Sequence, residues 1–225
     1  MTEWDLHRLL AWSSPAYPTG GFSYSHGLEW AVESGAVGGL EELLQYVTAV
    51  LARGGGWVDA VLFAHVWRSA ADPRAVDELS RWGAAFRGSA ETALESRQQG
   101  AAFLEVTRKA WPHPAMDAFA ARNPGAAVAH SVVVAIACAA HGIPLLPSLY
   151  SYLQSLAASL VSAGARLIPL GQTRAQIAIA RLAPEIAGIC TQARHTRLED
   201  LGTAAPAVEM CSLRHETQYT RLFRS

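Results

Sequence analysis

Apolar residues recur at helical spacing through most of the chain. The first clear run has six aliphatic positions on one helix face, Leu40, Leu43, Leu44, Val47, Val50 and Leu51. Glycines at 54–56 then break the chain before a second apolar run over 58–66. With proline and glycine as boundaries, the same spacing predicts helices over 73–86, 90–111, 126–140 and 147–162.

Two further helix starts are indicated by capping residues. The segment 173–176, Thr-Arg-Ala-Gln, has the form of a capping box and predicts that a helix begins there. Pro206 suits the first position of the last helix. Runs of β-branched residues are short, and the sequence has no internal repeat or long linker. The pattern therefore predicts one all-α domain, a multi-helix bundle over residues 1–225.

The segment 15–29 interrupts this pattern near the N-terminus. Its two prolines hold the backbone extended, and Gly20–Gly21 permits conformations closed to other residues. We expect a helix over 22–34 that ends at Gly35. Within that helix Gly27 costs about 1 kcal/mol relative to alanine, which indicates that another backbone or a partner packs close to it. The alternative is a rigid turn that only docks two helices.

The last nine residues, 217–225, differ from the polar and dispensable chain end that is usual. Aromatic and apolar residues alternate there with arginines, in the order Tyr219, Arg221, Leu222, Phe223 and Arg224. Tyrosine and arginine are enriched at the hot spots of protein interfaces. The composition predicts a partner-binding tail, and the alternative is that the tail packs against its own core.

Composition supports a packed and partnered protein. Of 225 residues, 51% are hydrophobic and 16% are charged, which favours a globular core over disorder. So little charge indicates that some apolar surface is covered by a partner or by a second copy, and we expect a dimer. A net charge of −1 gives no whole-chain footprint for nucleic acid.

Three features predict a cytoplasmic chain that does not span a membrane. The cysteines lie far apart, at Cys138, Cys190 and Cys211, which fits a reducing compartment. Charged residues within the first ten positions argue against a secretory signal. The most apolar stretch, 126–146, is interrupted by polar and helix-breaking residues, whereas a membrane span needs about 20 apolar residues. We expect a buried core helix there.

The motifs of several enzyme classes are missing from the sequence. It contains no GxxxxGK[ST] phosphate loop, no HExxH zinc motif and no GxSxG nucleophile elbow. No cluster of acid, base and nucleophile supports an enzyme that acts in an interhelical pocket. Cys211 and His215 share a helix face at i, i+4 and are weak metal candidates, but two ligands do not complete a site. We therefore predict neither catalysis nor a metal site.

A helical DNA-binding regulator is the alternative from another functional class. Such a protein could have this length and a dimeric helical body, but it needs a basic recognition helix. The first 50 residues contain Arg8 as their only basic residue besides two histidines. We therefore expect no nucleic-acid partner.

Several segments together resemble the UreF family of urease accessory proteins. They are 15–29, 166–172 (Arg-Leu-Ile-Pro-Leu-Gly-Gln) and 214–225, with a weaker match at 95–100. These segments follow the family's order over nearly the whole chain, and the first and last are long and specific. One departure concerns the apolar helix, where the family often has a His-Pro pair and this chain has Gly-Ala followed later by His-Ser.

The resemblance implies a concrete function. UreF proteins are helical, tend to dimerise, and join UreD (also called UreH) and the GTPase UreG in a complex that acts on apo-urease. Nickel reaches the urease site through this complex, with GTP hydrolysis coupled to delivery. UreF has no chemistry of its own, so we expect no directly bound cofactor, with nickel and GTP handled by the complex.

The family match and the polarity of these segments also predict partner-binding residues. Those assigned to the UreG-facing surface are Ser23, Tyr24, His26, Glu29 and Gln172. Those at the C-terminal end, where we assign the tail to UreD, are Arg214, His215, Glu216, Tyr219, Arg221, Phe223 and Arg224. Arg214 and Glu216 are expected to pair locally or across an interface. Arg166 or Arg214 is a candidate arginine finger for UreG, or else part of a structural ion pair.

Overall fold

The computed structural model describes residues 1–125 and 127–225, and these residues are helical without a β-strand. Eleven α-helices are found there, joined by loops and the 3₁₀ turns Gly21–Ser23 and Leu198–Asp200. They are α1 (Glu3–Trp12), α2 (Leu28–Glu33), α3 (Leu40–Arg53), α4 (Gly55–Arg68), α5 (Pro73–Ala85), α6 (Ala90–Ala110), α7 (Pro114–Arg122), α8 (His130–Ala140), α9 (Leu145–Leu167), α10 (Gly171–Ala193) and α11 (Pro206–His215). The predicted all-α class is confirmed.

Helix α4 lies at the centre of the bundle. It packs against α3, α5, α8, α9 and α10, and its apolar residues from Val58 to Val66 are fully buried. Helix α8 is also apolar on most of its surface and packs across α4 and α6. A helix that is apolar all round belongs in an interior, which is why these two helices form the core.

One stretch among the described residues, Leu40–Arg68, is long and apolar enough to cross a membrane by length and composition. It consists of α3 and α4, which Gly54 separates, and 67% of its most apolar window is buried inside the fold. Such burial is typical of the core helices of globular proteins. The predicted apolar stretch near 126–146 contains the short helix α8, and Ala126 itself lies outside the described residues.

Two helices were not predicted from the apolar pattern. Helix α1 begins at a capping box. The Asp5 carboxylate accepts the Thr2 backbone N–H at 2.7 Å, and the Thr2 hydroxyl accepts the Asp5 backbone N–H at 3.2 Å. Helix α7 begins at Pro114, with the His113 ring accepting a bond from the backbone of Ala115. The prolines at 112 and 114 follow the end of α6, and the second of them is the first residue of α7.

The helix predicted over 22–34 is wrong in its first half. Helix α2 begins only at Leu28, because Gly20, His26 and Gly27 adopt left-handed backbone conformations, with φ of +77°, +53° and +75°. A left-handed residue cannot continue a right-handed helix, so 20–27 forms turns instead. The predicted stop at Gly35 is confirmed by its φ of +78°.

The predicted capping box at 173–176 is also wrong. Helix α10 begins two residues earlier, at Gly171, and its N-cap residue Leu170 makes no side-chain capping bond. Leu170 and Ile168 are buried, so the apolar anchoring of the connection from α9 determines where α10 begins.

The close approach of another backbone to Gly27 is confirmed, although Gly27 lies before the helix and not inside it. A Cβ atom at Gly27 would come within 2.5 Å of the Ser212 backbone nitrogen in α11. This contact brings the N-terminal segment against the last helix.

Substitution of Gly27 by alanine tests this contact, with Gly35 as the matched control. Both glycines have nearly the same positive φ, but no atom lies within 4 Å of a Cβ at Gly35. We expect Gly35→Ala to lower the free energy of unfolding by about 1 kcal/mol through backbone strain alone. Gly27→Ala should lower it by about 3 kcal/mol, because overpacking against α11 adds to that strain. Equal losses in urea denaturation would contradict the close packing.

Candidate functional site

The C-terminal segment 217–225 lies against the N-terminal segment 15–29, so the two ends form one site. The Arg224 N–H donates to the Ser23 carbonyl at 2.8 Å, and the Ser25 N–H donates to the Ser225 carbonyl at 2.8 Å. The side chain of Phe223 is buried in the main core cluster. Of the two alternatives that the sequence left for the tail, the structure has the one in which it packs on its own core.

The Glu29 carboxylate holds the tail in place. It accepts the backbone N–H groups of Leu222 at 2.6 Å and Phe223 at 2.9 Å, and it bonds the His215 ring at 3.1 Å. Glu29 is supplied by the first turn of α2 and is buried. Hydrogen bonds to a charged acceptor are about twice as strong as neutral ones, so a single side chain anchors both α11 and the tail.

His215 connects this anchor to α6. Its Nδ1 bonds the Glu91 carboxylate at 2.6 Å, while Nε2 bonds Glu29. Arg221 donates to the other Glu91 oxygen at 2.7 Å. We call these groups, Glu29, Glu91, His215 and Arg221, the tail clamp. Because both ring nitrogens of His215 are occupied, the clamp leaves no nitrogen for the predicted weak metal pair with Cys211.

Glu95, also on α6, ties the end of the tail to the N-terminal loop. One carboxylate oxygen bonds His26 at 3.0 Å and Gln99 at 2.8 Å, and the other accepts the Ser225 hydroxyl at 2.9 Å. The neighbouring Tyr24 hydroxyl donates to Gln98. The weaker family-like segment 95–100 therefore carries the groups that receive both chain ends.

A second buried polar cluster lies deeper in the bundle, around Asp59 of α4. The Asp59 carboxylate accepts three hydrogen bonds. They come from Arg87 at 2.7 Å, from the Ser131 hydroxyl at 2.6 Å and from the Tyr152 hydroxyl at 2.9 Å. Burial raises the pKa of Asp59, but the Arg87 guanidinium and the two hydroxyls outweigh burial, so this pKa lies below its ordinary value. Burial, together with Asp59, raises the pKa of Tyr152 well above its ordinary value. The cluster is an ionised pair with its hydrogen bonds satisfied.

A cavity of about 50 Å³ separates Glu95 from this cluster, and two histidines with opposite behaviour line it. Burial lowers the pKa of His26, but Glu95 outweighs burial and the net pKa lies above 6.5. Burial lowers the pKa of His130 to about 4. Near neutral pH His130 is therefore the uncharged member of the pair.

Arg166, at the end of α9, joins the two chain ends on the surface. Its guanidinium lies 3.7 Å from the ring centre of Phe22 and 4.3 Å from that of Phe223, and it donates to the Phe22 carbonyl at 2.9 Å. Stacking of this kind adds to the packing of both rings. The geometry is that of a structural arginine, and a role as an arginine finger stays a prediction.

The predicted site residues divide into a buried set and an exposed set. The buried set is Tyr24, Glu29, His215 and Phe223, with His26 mostly buried. The exposed set is Gln172, Arg214, Tyr219, Arg221 and Arg224, with Ser23 and Glu216 at intermediate exposure. Most of them come together at the docked tail. Gln172 makes no hydrogen bond to the others in the described part of the chain, and its predicted role stays a prediction.

The expected pairing of Arg214 with Glu216 does not occur within the chain. The Glu216 carboxylate instead accepts the Ala90 backbone N–H at 2.9 Å, at the start of α6. A carboxylate at a helix N-terminus is favoured by the helix dipole, and this competes with the local ion pair. Arg214 remains exposed, and an ion pair across an interface stays a prediction.

Several groups of the site were not identified from the sequence. Glu91, Asp59 and Arg87 carry much of its hydrogen bonding. Asp59 had a recognisable signal, since it is a lone carboxylate in an apolar helix and such a residue usually has a buried partner. Glu91 had none, because its partners are 124 and 130 residues away along the chain.

The arrangement orders the chain and does not expose a reactive group. All four side chains of the tail clamp are engaged with one another or with backbone N–H groups. Among the described residues no group of three or more His, Cys, Asp or Glu side chains is placed to hold a metal ion. What the site presents outward is the exposed face of the docked tail.

The family model and the similar proteins found by comparison all carry the same family name. The family model described as UreF matches residues 37–183. The urease accessory protein UreF of Granulibacter bethesdensis is 50% identical over 222 residues, covering 98% of this chain and 94% of the relative. That of Rhodopseudomonas palustris strain BisB5 is 46% identical, covering 98% and 91%. That of Bradyrhizobium sp. strain ORS 278 is 43% identical, covering 98% and 92%.

The two cavity histidines should affect stability with opposite pH dependence. A raised folded pKa means that the contribution of His26 is present below pH 6.5 and is lost as the pH rises through the folded pKa. A lowered folded pKa means that the contribution of His130 is present above pH 6.5 and is lost as the pH falls towards 4. We expect His26→Asn to destabilise more on the acidic side, and His130→Asn more on the alkaline side. Chemical denaturation across this range measures both, and the same sign for both would contradict the assignment.

Removal of the Glu29 carboxylate should release the tail. Glu29→Ala leaves His215 short of a partner and the Leu222 and Phe223 N–H groups without an acceptor, at a cost of about 3 kcal/mol. Hydrogen exchange at these two amides should accelerate by about tenfold or more.

Glu33→Ala is the matched control, because Glu33 on the same helix bonds only Gln218 of the tail. It should leave the exchange rates of Leu222 and Phe223 within about twofold of wild type. Unchanged protection in Glu29→Ala would mean that the clamp does not hold the tail.

Proposed function

Since the chain belongs to the UreF family of urease accessory proteins, we propose that it is a scaffold for GTP-dependent insertion of nickel into apo-urease, acting with UreD (UreH) and the GTPase UreG. An accessory protein of this family is not an enzyme, and its part in urease maturation is to bind and position other proteins. Nickel is the cargo of the complex, and GTP is the substrate of UreG.

The docked tail is the observation that best supports this proposal. Buried groups hold it on the body of the protein, while Tyr219 is fully exposed and Leu222 is 65% exposed. Exposed aromatic and aliphatic side chains on an ordered backbone are typical of a surface that binds another protein. We assign this face to UreD.

The UreG-facing surface rests on fewer observations. Among its five predicted residues, Ser23 and Gln172 are accessible to a partner, while Tyr24 and Glu29 are buried and His26 is mostly so. We propose that the accessible pair contacts UreG directly. The others act through the loop they hold, because Tyr24, His26 and Glu29 each bond α6 or the tail.

Further parts of the proposal concern assembly and location. We propose that the protein is a cytoplasmic homodimer with no resident cofactor, and that it binds neither nucleic acid nor membrane. The low charged fraction of 16% supports a second copy, and the three widely spaced cysteines support the cytoplasmic location.

Deletion of residues 217–225 should abolish co-purification with UreD and leave the helical circular dichroism signal essentially unchanged, because α1 to α11 lie outside the deletion. A sharper version is Tyr219→Ala with Leu222→Ala, which removes only exposed side chains. We expect affinity for UreD to fall by about tenfold or more, as for the loss of interface hot spots.

Leu10→Ala serves as the matched control, because Leu10 on α1 is 64% exposed, as Leu222 is, but lies outside the tail. It should bind UreD as the wild-type protein does. Normal UreD binding by the deletion variant, or equal losses in the double variant and the control, would refute the assignment of the tail.

A further inference from the structure

Three of the carboxylates that bond the docked tail lie inside the fold, while Glu33, which bonds Gln218 near the start of the tail, is exposed. Glu29 and Glu95 are buried, and the Glu91 side chain is only 11% exposed. All three carboxylates are used up by partners within the chain. The charge of these three carboxylates is therefore engaged within the fold and largely hidden from solvent.

The arginines beside the tail face outward. Arg224 is exposed, and it forms no ion pair with a carboxylate in the part of the chain that the structure describes. Arg166 also lacks one there, and its pKa is lowered by burial against its aromatic neighbours with no carboxylate to oppose it. Arg166 and Arg224, beside the end of the tail, thus carry positive charge that no carboxylate among the described residues pairs with.

Apolar side chains lie among these cations. Phe22 is 67% exposed and stacks on Arg166, and Leu222 and Tyr219 are exposed along the tail. The bond from the Arg224 N–H to the Ser23 carbonyl joins the tail to the residue next to Phe22. We call the five residues Phe22, Arg166, Tyr219, Leu222 and Arg224 the tail patch. Its parts are brought together at the end of the tail, where Arg166 stacks on Phe22 and the Arg224 backbone bonds the residue next to Phe22.

We propose that the tail patch docks a protein surface that has an apolar centre and an acidic rim. Exposed aliphatic and aromatic groups require an apolar cover, and the uncompensated arginines select carboxylates around it. Cationic and aromatic surfaces also bind single-stranded nucleic acid, by stacking of bases on open rings. Here the guanidinium of Arg166 covers one face of the Phe22 ring, and the patch includes the aliphatic Leu222, which offers no ring, so the observations favour a protein.

This inference rests on the proposed function, because it describes the surface that UreD must present to the tail. Opposite charges on two surfaces accelerate their association and make it depend on ionic strength. The salt dependence of the association rate therefore reports the charge of the tail patch separately from its affinity for the partner.

The test uses the full-length protein and purified UreD, with binding kinetics followed at several salt concentrations. We expect the association rate constant to fall as salt rises. Arg224→Glu should lower it by about tenfold at low salt and weaken its salt dependence, with Arg224→Gln between the two. Arg74→Glu, an exposed change on α5, is the control of equal charge and should have little effect. Circular dichroism verifies that each variant is folded.

Each outcome separates the two proposals. If the wild-type protein binds UreD without salt dependence, or if Arg224→Glu and Arg74→Glu behave alike, the acidic-rim inference is overturned and the scaffold role stands. If the wild-type protein does not bind UreD at all, the proposed function fails and the inference fails with it. Competition for the patch by a single-stranded oligonucleotide at equal concentration would also overturn the choice of a protein partner.

Discussion

One buried carboxylate, that of Glu29, is the main anchor that joins the C-terminal segment to the folded domain. It accepts two backbone N–H groups of the tail and the ring of His215, more than 180 residues away in sequence. Besides Phe223, the tail buries little apolar side chain. Apolar burial alone therefore does not offset the cost of ordering nine residues, at roughly 1 to 2 kcal/mol each. Hydrogen bonds supply the difference, and Glu29 accepts more of them from the tail than any other side chain does.

The burial of Glu29 also affects how charged groups are distributed in the protein. A buried carboxylate needs polar partners, and the tail clamp provides them: Arg221 is the counter-charge of Glu91, and His215 bonds both Glu29 and Glu91. Asp59 and Arg87 repeat this arrangement deeper in the bundle. With these carboxylates engaged inside, Arg166 and Arg224 have no carboxylate partner among the described residues. A net charge of −1 for the whole chain therefore does not exclude unpaired cations at the end of the tail.

The helical core could be predicted from sequence because it depends on periodic apolar burial, which is a local signal. The helix predicted over 40–51 is present because its apolar spacing determines which face is buried. The turn ending at Gly27 could not be predicted this way, since His26 is held in a left-handed conformation by long-range bonds to Tyr46 and Glu95. The pairing of Glu91 with His215 was equally hidden, because no local pattern relates α6 to the end of α11.

Docking of the tail on its own chain also changes the energetics of recognition. A disordered tail would be ordered only on binding, and that cost would be subtracted from the affinity. In this protein the tail clamp orders the backbone of the tail on folding, so Tyr219 and Leu222 are positioned before any partner binds. A scaffold gains more from such preorganisation than an enzyme with a separate active site, because binding is its whole function. In the proposed scaffold role, the buried half of the tail would serve recognition by holding the exposed half in place.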